Sequence, residues 1–146
     1  MISIDVATAM TTPVETVTVD ATMVEAARRL RDAHIGALVV LDDDGEIVGV
    51  VTESNIITVL TGGRDLETAT VADCLVSPVV TIDQDETVVA AGERMCEHSV
   101  RRMPVLADGD LVGIVTTTDL AYYLPRLRTK IRRARNTSTS PGGGVE

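Results

Sequence analysis

The sequence predicts a mixed α/β (α+β) fold made of two copies of one β-α-β-β-α unit. Three observations carry this. Sliding the chain by 65 residues aligns Val6–Leu41 with Val71–Leu106 without a gap, and 12 of those 36 pairs are identical. One residue is then lost in a turn, so that GVVTESN (49–55) falls on GIVTTTD (113–119) at an offset of 64. A composition bias would not hold register over such a length, so the chain is a tandem duplication. The apolar content is aliphatic, with 22 Val, two Tyr, no Phe and no Trp, and Val favours buried strands.

Each copy reads in the same order. A short extended piece (Val14–Val19; Val79–Ile82) follows a proline and precedes a helix start. In the first copy Thr22 and Glu25 form a T-x-x-E capping box, with Met23, Ala26, Ala27 and Leu30 at helical spacing behind it. The second copy keeps Thr87 as N-cap but has Ala90 in place of the glutamate, a weaker cap. Two apolar strands follow, Ala37–Leu41 and Ile47–Val51, around the turn Asp42-Asp43-Asp44-Gly45. The second copy has Met103–Leu106 and Leu111–Val115 around Asp108-Gly109, a hairpin signal. A second helix opens after Thr52 or Thr116. Two such short sheets, packed face to face, would bury each other. The repeats are expected over 2–62 and 71–125 with a linker at 63–70. Residues 126–146 form a basic and then low-complexity tail, expected to be disordered.

With 146 residues, a chain can bury roughly two-thirds of its unfolded surface, enough for an independent fold. No apolar run reaches the ~18 residues of a membrane span, and MISIDVATAM lacks the features of a signal peptide. Cys74 and Cys96 are two lone thiols, which argues against a disulfide framework and fits a reducing cytoplasm. Residues 1–125 hold 7 Lys+Arg against 21 Asp+Glu (−14), residues 126–146 hold 6 against 1 (+5), and the sum is −9. Twelve of the thirteen basic residues are Arg. This composition resembles that of proteins from salt-accumulating halophiles, although an ordinary acidic cytosolic protein is the alternative. An acidic body repels nucleic acid non-specifically.

The motifs of common enzyme classes are missing. His34 and His98 have no cysteine or carboxylate at metal-ligand spacing, and the cysteines form no C-x-x-C, which argues against zinc. G-x-S-x-G, G-x-x-x-x-G-K-[ST] and G-x-G-x-x-G do not occur. The repeated feature is a strand-to-helix junction, Gly49-Val50-Val51-Thr52-Glu53-Ser54-Asn55 and Gly113-Ile114-Val115-Thr116-Thr117-Thr118-Asp119. Backbone N–H groups at such a junction are unpaired and the helix dipole favours an anion. Thr52/Ser54 and Thr116/Thr118 add hydroxyls suited to a phosphate. Asp119 could accept from the two hydroxyls of a sugar, and the neutral Asn55 less strongly. Plain N-capping by Thr and Ser is the alternative.

The G-h-h-T-x-[ST]-[DN] junctions, the Pro-Val-x-Thr strand openings, and the segments Ile-Gly-Ala-Leu-Val-Val and Val-Arg-Arg-Met-Pro-Val resemble the cystathionine-β-synthase (CBS) domain family, over about residues 2–124. The resemblance implies a tandem pair forming a pseudo-two-fold unit, with two clefts between the repeats. It implies adenosine-containing ligands (AMP, ADP, ATP or S-adenosylmethionine), regulation of an attached or separate partner, and dimerisation into a flat disc. With the enzyme motifs missing, no catalysis and no required cofactor or metal are expected.

Carried over by position, one nucleotide site would use Thr116, Thr118 and Asp119 for phosphate and ribose and Arg101 and Arg102 for phosphates. Thr8, Pro13, Val14 and Ile35 would line its adenine side. The other site would use Thr52, Ser54 and Asn55, with Gly36 and Ala37 where the arginines stood, completed by Asp73, Pro78, Val79 and Val100. It lacks both the cationic pair and the ribose carboxylate, so it would take a neutral nucleoside or stay empty.

The expected function is a non-catalytic, cytoplasmic, homodimeric regulatory module that signals to a separate effector protein, since no effector domain is fused. The rival is an adaptor that binds nucleic acid, an anionic membrane surface or an acidic partner through Arg126–Arg135 (RLRTKIRRAR). That segment has no aromatic residue for base stacking.

Overall fold

The computed structural model describes residues 3–75 and 79–123. Its elements are α1 (Val6–Ala9), β1 (Thr16–Thr18), α2 (Met23–Ala33), β2 (Ala37–Leu41), β3 (Ile47–Thr52) and α3 (Glu53–Thr61), then α4 (Val71–Cys74), β4 (Ile82–Asp83), α5 (Val88–His98), β5 (Arg102–Ala107), β6 (Asp110–Thr116) and α6 (Thr117–Tyr123). They form two three-stranded sheets, β1-β2-β3 and β4-β5-β6. The predicted tail lies outside the described residues, as does Pro78.

The described residues divide into two packing units, one within 13–79 and the other within 3–12 and 80–123. In the 13–79 unit β1 pairs parallel with β2, and β2 pairs antiparallel with β3. A parallel neighbour requires a crossover, which α2 supplies. Thr22 caps α2: its hydroxyl accepts from the Glu25 amide, and the Glu25 carboxylate accepts from the Thr22 amide. The helix turns Met23, Ala26 and Leu30 onto the sheet and stops at His34, which takes a left-handed conformation (φ 56°). These side chains bury against Leu38, Val40 and Val51. Each such aliphatic side chain contributes about 1.5–3 kcal/mol when fully removed from water.

The other unit repeats this with β4, α5, β5 and β6. Thr87 accepts from the Ala90 amide without a reciprocal carboxylate, as the sequence predicted. Met103, Val105, Val115 and Leu120 are fully buried in its core. The β5–β6 hairpin closes through Asp108 and Gly109, both at positive φ (52° and 86°), which suits a tight primed turn. Both hairpins carry a register irregularity at the same place, Val40/Leu41 and Val105/Leu106.

The structure differs from the sequence reading in three respects. The extended pieces shorten to Thr16–Thr18 and Ile82–Asp83. Two four-residue helices, α1 and α4, appear where none was predicted; a single turn is too short to display periodicity.

The packing units are also offset from the repeats 2–62 and 71–125. Helix α1 is held in the second-copy unit, where the Val6 amide donates to Glu86 O (2.8 Å), the Val88 amide to Ile4 O (2.9 Å) and the Thr11 amide to Ile114 O (2.8 Å). Helix α4 is held in the first-copy unit by the matching bonds, from the Val71 amide to Ala21 O (2.9 Å) and from the Met23 amide to Ala69 O (2.8 Å). The stretch 63–70 is therefore more than a tether: Ala69 is buried in that core.

Candidate functional site

In the 13–79 unit β3 runs directly into α3. Thr52 is extended (φ −125°, ψ 168°) and its hydroxyl accepts from the Asn55 amide at 3.3 Å. Asn55 Oδ1 accepts from the Thr52 amide (2.8 Å) and hydroxyl (3.1 Å). The Glu53 amide donates to Gly36 O at 3.1 Å, and Ala37 stands opposite Thr52 in the ladder.

The second unit builds the same junction from β6 and α6. The Thr116 amide donates to Asp119 Oδ2 at 2.9 Å, and the Asp119 amide donates to the Thr116 hydroxyl at 3.2 Å. The Thr117 amide donates to Arg101 O at 2.9 Å, and Arg102 stands opposite Thr116. Strand pairing thus brings Arg101 and Arg102 beside Thr116–Asp119, where the first copy has Gly36 and Ala37.

These bonds correct one expectation. The junction amides are not all unpaired: the first helical amide goes to the neighbouring strand's carbonyl and the third to the capping threonine. What faces outward is the second residue of each helix, the exposed Ser54 or Thr118. Asn55 and Asp119 also serve as caps, so the capping alternative accounts for one face of each side chain. Asp119 Oδ1 has no hydrogen bond among the described residues, so the cap engages only one of its carboxylate oxygens.

The remaining predicted residues divide between the units. Thr8 lies exposed on α1, in the unit of Arg101, Arg102 and Asp119. Pro13, Val14 and Ile35 lie in the 13–79 unit with Thr52 and Asn55. Asp73 accepts from the Thr70 hydroxyl at 3.0 Å and pairs with Arg64 at 3.6 Å. Val79 and Val100 are half-buried.

Two features escaped the sequence reading. A Cβ on Gly113 would lie 2.7 Å from Met10 Sδ and 3.0 Å from Thr11 O, so the motif glycine makes room for the N-terminal segment against β6. An arginine on each long helix braces the edge strand. Arg94 Nη1 donates to Thr81 O (3.1 Å), and its two terminal nitrogens grip Glu86 at 3.1 and 2.8 Å. Arg29 donates to Thr16 O in the same way. The signal was available, because Arg29 and Arg94 are an identical pair at the 65-residue offset.

Hydrogen bonds from Arg94 hold the Glu86 carboxyl below its usual range. Bonds from the Thr22 backbone and hydroxyl do the same for Glu25. Among the described residues no group of three or more His, Cys, Asp or Glu side chains could hold a metal ion, and no helix is long and apolar enough to cross a membrane.

The family model of the CBS domain matches residues 3–62 and 71–126. Hypoxic response protein 1 of Mycobacterium tuberculosis is 36% identical over 105 residues, covering 71% of this chain and 73% of that protein. An uncharacterised protein of Methanopyrus kandleri is 33% identical over 108 residues, covering 73% of this chain but only 55% of that protein.

Among solved structures, a conserved CBS domain protein of unknown function from Thermoplasma acidophilum aligns with a TM-score of 0.80 at 29% identity, covering 93% of this chain and 78% of that one. The crystal structure of hypoxic response protein I, with two coordinated zinc ions, aligns at 0.72 and 34% identity, covering 83% of this chain and 99% of that one. The CBS domain pair of protein MJ0100, in complex with 5′-methylthioadenosine and S-adenosyl-L-methionine, aligns at 0.76 and 26% identity, covering 84% and 96%. With two family matches in tandem and one three-stranded sheet for each, the chain belongs to the CBS domain family, as a tandem pair.

Proposed function

We propose that this chain is a non-catalytic regulatory module that senses an adenosine-containing ligand, with phosphorylated ligands preferred at the Thr116–Asp119 junction. The observation that carries this reading is the convergence in one unit of Arg101 and Arg102 with Thr116, Thr118 and Asp119. A guanidinium pair beside a helix start suits phosphate oxygens, and a carboxylate oxygen without a partner suits ribose hydroxyls. The MJ0100 pair, a relative of the same fold, was crystallised with two adenosine-containing ligands, which supports the ligand class. The Thr52–Asn55 junction keeps the capping geometry but has Gly36 and Ala37 in place of the arginines, so it favours an uncharged nucleoside. Signalling would pass to a separate effector protein, through a homodimer.

A thermal-shift screen of AMP, ADP, ATP, NAD and S-adenosylmethionine at high salt tests the ligand class. A true ligand at ~100 Kd stabilises by about 2.7 kcal/mol; no shift with any of the five would overturn the reading. Replacing Asp119 by Ala should weaken the effective ligand by about 1.5–3 kcal/mol, the range for hydrogen bonds to charged groups. Calorimetric affinity that stays unchanged, with the fold intact by circular dichroism, would remove Asp119 from the site.

A further inference from the structure

Residues 18–21 and 83–86 follow the same backbone course. The Ala21 amide donates to Thr18 O at 3.1 Å and Ala21 O accepts from Val71; the Glu86 amide donates to Asp83 O at 3.1 Å and Glu86 O accepts from Val6. A methyl group in the 13–79 unit thus occupies the place from which, in the other unit, Glu86 reaches both terminal nitrogens of Arg94. Arg29, the counterpart of Arg94, is anchored the same way to Thr16 O but meets no carboxylate within ion-pair distance among the described residues. A cleft of about 430 Å³ lies there, lined by Thr16, Ala21, Arg29, Asp20 and Glu25 among others. That is within the usual range for small-molecule sites, ~300–1,000 Å³.

The lining sets the ligand chemistry. Arg29 is the one cation among the lining residues. Its Nη1 is anchored to Thr16 O as Arg94 Nη1 is anchored to Thr81 O, an anchoring that in Arg94 accompanies a carboxylate held by both terminal nitrogens. Asp20 and Glu25 supply negative charge on the same wall. Glu25 uses Oε1 for its cap, and Oε2 has no hydrogen bond among the described residues. A simple anion would meet the arginine but be repelled by both carboxylates. We propose that this cleft binds a small zwitterion, its carboxylate on the Arg29 fork and its ammonium against Asp20 and Glu25, which is the chemistry of a free α-amino acid. The site lies wholly within the 13–79 unit and does not depend on the nucleotide reading.

The test is an amide-shift titration of the ¹⁵N-labelled full chain with three probes: L-alanine, propionate (no ammonium) and isopropylamine (no carboxylate). L-Alanine should give saturable shifts confined to residues 16–29, with both partial probes weaker by at least about tenfold, the loss of one charged hydrogen bond. Replacing Ala21 by Glu should supply the missing carboxylate, abolish the response and leave the fold intact. Should that variant fail to fold, Arg29→Lys keeps the charge without the fork and should weaken L-alanine by at least about tenfold. Propionate binding as tightly as L-alanine, no saturable response to L-alanine, or a response indifferent to these substitutions would overturn the proposal.

Discussion

The two units share their backbone hydrogen bonds and differ in where they put their charges. Gly36 and Arg101 offer equivalent carbonyls to equivalent helix starts, yet the residues there are Arg101 and Arg102 in one unit and Gly36 and Ala37 in the other. Arg29 and Arg94 are anchored to equivalent carbonyls, Thr16 O and Thr81 O, yet Arg94 also grips the Glu86 carboxylate, whereas Arg29 has Ala21 at the matching position and the nearby Glu25 is engaged in capping Thr22. The duplication preserved the scaffold because backbone bonds and buried aliphatics tolerate little change. The exposed positions were free to diverge, and the proposed difference in ligand preference rests on that divergence.

The largest expected effects lie in the two cores. Leu38 and Met103 occupy equivalent positions and are both fully buried. Leu38→Ala and Met103→Ala should each cost about 2–5 kcal/mol in denaturant unfolding. A cost below about 1 kcal/mol in only one of them would show that the cores are not equivalent.

Capping is the next scale down. Thr22→Ala and Thr87→Ala should each cost about 0.5–2 kcal/mol, and Thr22→Ala should cost more because it also removes a hydroxyl bond to Glu25. Equal losses in thermal melts would mean that the reciprocal glutamate adds nothing.

The smallest expected effect concerns Glu86. Its carboxyl is held below its ordinary value near 4.5, chiefly by hydrogen bonds from Arg94. A depressed carboxyl stabilises the fold above the unfolded-state pKa, and that contribution is lost as pH falls through the folded-state pKa. The pair is about one-third exposed, so solvent screening limits it to about 0.2–1 kcal/mol. Melting temperatures of the parent chain and Glu86→Gln should differ from neutral pH down to about pH 5 and converge below pH 4.5. A gap that persists into the acid range would assign the effect to packing.

Much of this architecture was legible in the sequence. The repeat located both hairpins to within a residue or two, and Thr22–Glu25 announced its own capping box. The short helices α1 and α4 were not legible, since one turn carries no period. Their placement depends on backbone bonds to residues 50 and 80 positions away, Val71 to Ala21 and Val6 to Glu86, and a sequence pattern does not record such pairings. At the junctions the residue types Thr, Ser, Asp and Asn were legible as helix starters. Their division into capping bonds and outward groups was not, because it depends on the neighbouring strand's carbonyl claiming the first amide. The Arg101–Arg102 pair was legible because it breaks the repeat, whereas Arg29 and Arg94 preserve it and drew no notice.

On the proposed reading, phosphate selectivity resides in the unit that carries Arg101 and Arg102. Calorimetric titration of ATP, AMP and adenosine into the parent chain and into the Arg101→Ala/Arg102→Ala double variant tests it most directly. ATP and AMP should each show one tighter site per chain. The double variant should lose about 1.5–3 kcal/mol with either nucleotide and little with adenosine. Equal losses for adenosine and ATP would contradict the claim, because the arginines would then be serving the nucleoside or the fold and not the phosphates.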